Sequence, residues 1–271
     1  MPDSAPTTHG SVHRTARRLT SAGVEMRDEV VVEETAVALV YNGVSHAVMM
    51  ATPCDLEDLG RGFSITERIV EKASEIYDVE VEPAGRGFEV RLEIASQRMA
   101  VLQQKRRSMA GRTGCGLCGV ESLAEALRPV PVAQTGVQVS RRAIERAMAA
   151  LPGHQAINRQ NGATHAAGWA DAEGNLIAVR EDVGRHNALD KLAGALAKAG
   201  TETKGGFVVV TSRCSYEMVQ KAAAAGAAAI AAVSAPTSLA IETAEQANIA
   251  LVAFVREGRL TAYANPDRIA P

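Results

Sequence analysis

One rhythm dominates the second half of the chain. Short all-apolar runs at 207–211, 229–233 and 249–255 alternate with stretches of helical pattern at 215–225 and 239–247. Apolar runs this short read as strands buried on both faces, and a helix after each strand returns the chain for a parallel neighbour. Upstream, the same pattern gives strands at 163–171 and 176–181 around the turn Glu173-Gly174-Asn175, then a helix at 187–199. Downstream, a turn at Glu257-Gly258 leads to a last strand at 260–264. The rhythm predicts an α/β fold: a mixed sheet with helices on both faces, plus whatever precedes it.

What precedes it reads as a smaller N-terminal α+β region. Residues 1–22 are polar and weakly basic and are expected to be a disordered tail. The valine- and threonine-rich stretch 29–50 reads as two strands around Asn42-Gly43, a strong hairpin signal. Asp55 is expected to cap a helix through Leu56, Leu59, Phe63 and Ile69, with Glu57 and Asp58 in the favourable first turn. Two strands follow at 76–82 and 87–95. The expected division is a tail at 1–22, the α+β region at 23–128, and a C-terminal α/β domain at 129–271. The boundary falls after a short helix at 121–127, where Arg128-Pro129-Val130-Pro131 forms a stiff connector. Ser140 is placed to cap a helix at 141–151.

The bulk composition excludes several classes. A formal net charge of −2 and an aromatic content of 3% argue against nucleic-acid binding through charge or base stacking. The first twenty residues lack an apolar signal core. The longest apolar stretch, 222–233, is mostly alanine with Gly226 inside it, too weakly hydrophobic to span a bilayer. Four cysteines in 271 residues make no disulfide scaffold and fit a reducing cytoplasm.

Two of those cysteines carry the strongest chemical signal. Cys115 and Cys118 lie among Gly111, Gly114, Gly116 and Gly119, behind Lys105, Arg106, Arg107 and Arg112. Glycine removes bulk from around the thiols, and nearby cations favour the nucleophilic thiolate. The pattern therefore points to sulfur chemistry on an accessible loop. Structural zinc would need two further ligands, and no His-x-Glu precedes the motif as in zinc deaminases. A thioredoxin-like dithiol would open a helix, whereas here a helix begins only after the motif. Covalent sulfur carriage as a persulfide, dithiol exchange and an incidental surface pair stay open at this point. Cys54 and Cys214 read as buried and structural. His154 and His165 have no partner that the sequence reveals.

Three polar segments follow strands on the expected ligand-binding edge of the sheet: 180–187, 211–215 and 234–238. Each offers hydroxyls, helix-start N–H groups or cations, the recipe for holding phosphate. Arg185 and Arg213 are suited to bidentate contact with phosphate oxygens. Ordinary helix capping explains any one such loop equally well.

Four motifs together resemble the formate dehydrogenase accessory sulfurtransferases, the FdhD family. They are Thr-Gly-Cys-Gly-Leu-Cys-Gly (113 to 119), Asp-Val-Gly-Arg-His-Asn-Ala-Leu-Asp-Lys (182 to 191), Thr-Ser-Arg-Cys-Ser-Tyr-Glu-Met-Val-Gln-Lys (211 to 221) and Ser-Ala-Pro-Thr-Ser-Leu-Ala (234 to 240). With the strand–helix order, the resemblance spans roughly 28 to 268. It implies a cytidine-deaminase-like fold without the deaminase zinc. It also implies a sulfur carrier that takes sulfane sulfur from a cysteine desulfurase and delivers it to the Mo-bis(molybdopterin guanine dinucleotide) cofactor of a formate dehydrogenase catalytic subunit. By position, Cys115 would form the persulfide, with Cys118 as its partner. Phe254, Val255, Arg256, Glu257, Gly258 and Arg259 would bind cofactor, joined by Arg185, His186, Ser212 and Arg213 around the guanine nucleotide portions. Residues 46–68, Cys54 included, match no part of the family pattern. A cofactor chaperone without catalytic thiols and a dithiol oxidoreductase are the competing classes. Alanines 222–225 suit either close packing of subunits in a homodimer or helix–sheet packing within one subunit.

Overall fold

The computed structural model describes residues 10–110, 130–133, 136–256 and 258–271, with 105–110 as backbone only. The chain starts with two long antiparallel strands, β1 (Ser11–Thr20) and β2 (Gly23–Val32). This corrects the expectation of a disordered tail for residues 11–20. The basic residues there find cross-strand carboxylates, His13 with Asp28 at 2.7 Å and Arg18 with Glu29 at 3.1 Å. A run of like charge read alone looks like a tail because its partners lie on the returning strand.

Next come β3 (Thr35–Tyr41) and β4 (Val44–Ala51), joined at Asn42-Gly43 as the hairpin signal predicts, then α1 (Leu56–Thr66). Strands β5 (Ile76–Ala84) and β6 (Gly87–Ile94) complete a four-stranded sheet of order β4-β3-β6-β5. Its inner face (Val37, Leu39, Val90, Leu92) packs against Leu56 and Leu59 of α1. Asp55 does not cap that helix. Its backbone is left-handed (φ 51°) and its side chain makes no cap bond, lying instead 3.7 Å from Arg180. Helix α2 (Ser96–Ala110) was not anticipated, and it places the basic run Lys105–Arg107 on a helix.

The remainder runs β7 (Val139–Ser140), α3 (Arg141–Ala150), α4 (Asn158–Asn161), β8 (His165–Ala170), β9 (Leu176–Asp182) and α5 (Arg185–Ala199). It continues β10 (Phe207–Val210), α6 (Tyr216–Ala224), β11 (Ala229–Ala232), α7 (Ser238–Gln246), β12 (Ala250–Arg256), β13 (Arg259–Ala264) and β14 (Ile269–Ala270). Ser140 caps α3 as expected, accepting from the Ala143 N–H at 3.0 Å. The six-stranded sheet has the order β13-β12-β11-β10-β8-β9. Strands β10, β11 and β12 are parallel, β8 is antiparallel to β10, and β9 is antiparallel to β8. The carboxyl ends of β9, β10, β11 and β12 therefore share one edge, where β8 begins.

Helices cover both faces, which is why the strands read as unbroken apolar runs. On one face Leu189, Leu192, Met218, Val219 and Ala240 of α5, α6 and α7 meet Ala167, Trp169, Val208 and Ile230. On the other, Ile144, Ala147 and Met148 of α3 meet Phe207, Val209, Ala231 and Val252. Ala222 and Ala223 are spent inside this chain, buried in the first of these cores.

The N-terminal region joins this sheet through α1 and α5, which touch backbone to backbone. A Cβ on Gly62 would lie 1.6 Å from the Asp190 carbonyl oxygen, and one on Gly194 would lie 1.9 Å from that of Asp58. No other residue permits that approach without the helices parting. Around the contact sit buried ions: Lys221 with Asp190 (2.9 Å) and Glu67 (2.8 Å), Arg180 with Asp58 (2.7 Å), and Lys191 with Asp182 (2.6 Å).

Candidate functional site

The three polar segments do meet, because the strands preceding them end at one edge. The segment after β10 is zipped to the one after β11: the Cys214 N–H donates to the Ala235 carbonyl at 3.1 Å, and the Thr237 N–H to the Cys214 carbonyl at 3.0 Å. The segment after β9 reaches the start of α6, where His186 Nε2 lies 2.9 Å from Glu217. That contact holds the Glu217 carboxyl below the usual range. Helix α5 begins two residues earlier than the sequence pattern placed it, so Arg185 and His186 form its first turn, where N–H groups are unpaired.

The motif at 182–191 divides its labour. Asp182, fully buried, accepts from the N–H groups of Thr52 (3.0 Å) and Gly184 (2.8 Å) and from Asn187 Nδ2 (3.0 Å), and pairs with Lys191. Lys191 also donates to the Thr52 carbonyl at 2.9 Å. Asp182, Asn187 and Lys191 thus clamp the strand-to-helix turn onto residue 52. That leaves Arg185 and His186 to present themselves at the edge. Met50 and Thr52 supply the other half of this clamp.

The remaining candidates sort by position. Ser212 is buried and its hydroxyl donates to the Arg213 carbonyl at 2.9 Å, whereas Arg213 is exposed. Thr237 caps α7. Ser215 stands at the N-terminus of α6 without capping it, and its Oγ, like Arg185 Nε, is buried with no hydrogen-bond partner among the described residues. A buried polar atom left unpaired costs about 1–3 kcal/mol, so such atoms mark where a ligand oxygen fits.

Farther along the edge, Phe254 occupies a bulge in β12 with a left-handed backbone (φ 52°) and an exposed ring. Val255 is buried in the core facing α3 and serves packing. Arg256, Gly258 and Arg259 are exposed at the β12–β13 turn, where Arg141 of α3 donates to the Gly258 carbonyl at 2.6 Å. Glu257, Cys115 and Cys118 lie outside the described residues. From β9 to β12 is four strand spacings, about 19 Å. The candidates are thus spread along an edge and suit a long ligand.

The other two cysteines are buried. Burial pushes the Cys54 thiol up to about 11 and the Cys214 thiol up to about 12. His165 is the site residue whose partners the sequence did not reveal. It opens β8 opposite Asp182, and burial, together with the Arg185 guanidinium, holds its imidazole below the usual histidine range. Its only sequence signal is its position at the start of a strand that runs against its neighbours.

Residues 32–270 match the FdhD/NarQ family. The chain belongs to that family. Relatives within it are close: sulfur carrier protein FdhD of Bordetella petrii is 53% identical over 247 residues, covering 91% of this chain and 89% of that protein. The Cupriavidus necator protein of the same name is 52% identical over 268 residues, covering 98% and 92%. Among solved structures, a candidate formate dehydrogenase accessory protein from Desulfotalea psychrophila superposes with a TM-score of 0.75 at 25% identity, covering 96% of this chain and 99% of that one. The mixed α/β architecture is therefore that of an FdhD-like protein. Among the described residues, no helix is long and apolar enough to cross a membrane, and no cluster of His, Cys, Asp and Glu could hold a metal ion.

Proposed function

We propose that this FdhD/NarQ protein is a cytoplasmic sulfur carrier for a formate dehydrogenase, with Cys115 as the sulfur-bearing residue. The observation that carries this reading is the near-full-length similarity to proteins named sulfur carrier, joined to the fate of the thiols. Burial keeps Cys54 and Cys214 protonated at neutral pH, so the nucleophile falls to the Cys115–Cys118 pair with its cationic approach.

In the first step the Cys115 thiolate attacks the outer sulfur of a cysteine desulfurase persulfide. The desulfurase S–S bond breaks, its thiolate leaves, and Cys115 becomes the persulfide. In the second, the Cys118 thiolate attacks the inner sulfur of that persulfide. A Cys115–Cys118 disulfide forms, and hydrosulfide leaves with the electron pair, ready to become the sulfido ligand of the client's metal. An external reductant of the thiol class then restores the pair. The client cofactor, Mo-bis(molybdopterin guanine dinucleotide), is cargo. Its nucleotide arms would lie along the sheet edge, phosphates near Arg185, Ser215 and Arg213 and a guanine against Phe254. The unpaired Arg185 Nε and Ser215 Oγ and the exposed ring fit that ligand.

The test is intact-protein mass spectrometry after incubation with a cysteine desulfurase and cysteine. A reducible gain of roughly 32 Da is expected in wild type, absent in Cys115→Ser and accumulating in Cys118→Ser. A gain that survives Cys115→Ser, or none in any form, overturns the assignment.

A further inference from the structure

His165 is the titratable group at this edge to which the sulfur-carrier reading gives no task. Strand order puts it at the centre: β8 lies between β9, which leads into Arg185 and His186, and β10, which leads to Ser212, Arg213 and Ser215. Alternation with Ala167 and Trp169 places His165 on the face covered by α5, α6 and α7, whose first turns border the edge. The ring is half-buried near the Arg185 guanidinium.

The carboxylates nearby are already engaged. Asp182 on β9 belongs to Lys191 and three N–H donors, and Glu217 on α6 to His186. Glu181 accepts from the N–H groups of Ile157 and Asn158 and from Thr164 Oγ1. Positive charge from Arg185 and Arg213 therefore faces the edge with no ion-pair partner among the described residues.

We propose that His165 is a ligand-contacting residue of this edge and takes up one proton from solvent when a phosphate group docks between it, Arg185 and Ser215. The inference rests on the reading that nucleotide arms lie here. Without a ligand, desolvation and the neighbouring Arg185 guanidinium oppose the imidazolium. A phosphate dianion reverses the local field and accepts a charge-assisted N–H···O bond from the ring. Binding and protonation are then linked, and affinity falls by up to about tenfold per pH unit between the titration of the free ring and that of the bound ring, levelling off once the bound imidazolium loses its proton. The phosphate itself adds no slope above pH 7, its second ionisation lying near ~6.

The experiment is isothermal titration of the full chain with GDP between pH 7 and 8.5, each pH in two buffers of different ionisation enthalpy. The expected result for wild type is a buffer-dependent heat corresponding to uptake of between half and one proton at pH 7, with weaker binding at pH 8.5. His165→Gln should bind with no buffer dependence and a flat pH profile, and His186→Gln should keep the uptake. In parallel, the NMR titration of the His165 ring protons in wild type should move to higher pH when GDP is present. GDP bound with buffer-independent heat, or uptake that survives His165→Gln, overturns the inference while leaving the cofactor site standing. An unmoved His165 titration does the same. Absence of GDP binding by wild type overturns both.

Discussion

Replacing Lys191 by methionine tests whether the clamp at 182–191 holds the two parts of the molecule together. The lysine and Asp182 side chains are both 0% exposed and 2.6 Å apart. Methionine fills most of the lysine volume, so the loss is electrostatic and not a cavity. Removing one member of a buried pair costs about 3–5 kcal/mol, because the other charge stays buried. Here Asp182 keeps three N–H donors at 2.8–3.0 Å, which places the cost at the lower end. The Thr52 carbonyl loses a donor at 2.9 Å, which restores about 1 kcal/mol to the penalty. The expected total is about 3–4 kcal/mol, or a drop of about 1 M in the urea midpoint for a slope near ~3 kcal/mol/M. The double variant Asp182→Asn with Lys191→Met removes the stranded charge and keeps one amide oxygen for Gly184 and Asn187, while its Nδ2 replaces the oxygen that accepts from Thr52, so it should recover part of the loss. Equilibrium urea unfolding of the wild type and both variants decides it. A loss under about 1 kcal/mol in the single variant, or a double variant no more stable than the single, would refute the reasoning.

Four further outcomes follow from the same structure. Gly62→Ala should destabilise by at least about 1–3 kcal/mol, since its Cβ would occupy the Asp190 carbonyl position and must force α1 from α5; a thermal melt unchanged from wild type would contradict the contact. Under native conditions at pH 8, iodoacetamide should leave Cys54 and Cys214 unmodified, with all rapid labelling at Cys115 and Cys118 by peptide mapping. The same two thiols make stability fall in alkali. Their folded pKa values lie above the unfolded ones, so the unfolded chain loses protons first and stability declines from about pH 9 until the folded pKa, by up to ~1.4 kcal/mol per pH unit for each thiol. Unfolding of Cys54→Ala and Cys214→Ala measured at pH 9 and 10 should show a shallower decline than wild type. Phe254→Gly should relieve a left-handed backbone and leave stability equal or higher. It should weaken GDP binding by about 1–3 kcal/mol if the ring stacks on the base; unchanged affinity would remove Phe254 from the site.

Periodicity made most of the elements legible. Runs such as Phe207–Val210 declare strands buried on both faces because no polar side chain interrupts them, and Asn42-Gly43 declares its hairpin through local backbone preference alone. The proposal for the cysteine pair rests on sequence alone, since Cys115 and Cys118 lie outside the described residues. The tail assigned to residues 1–22 failed because its pairing is not local. Whether Arg18 is a solvated charge or half of a cross-strand pair depends on Glu29, and no local pattern links them.

The candidate site shows the same divide at higher stakes. Sequence singled out the 182–191 motif, and residue type made Arg185 a candidate for contact with phosphate. Only the tertiary structure separated the members that clamp, Asp182 and Lys191, from those that face the edge, because that distinction is made by Thr52, some 130 positions away. It alone brought His165 between two loops, since an antiparallel strand starts where its neighbours end. It alone demanded glycine at 62 and 194, where two helix backbones meet. Side-chain chemistry and short-range periodicity are properties of the chain. Burial, charge pairing and close approach are properties of which surfaces the fold presses together.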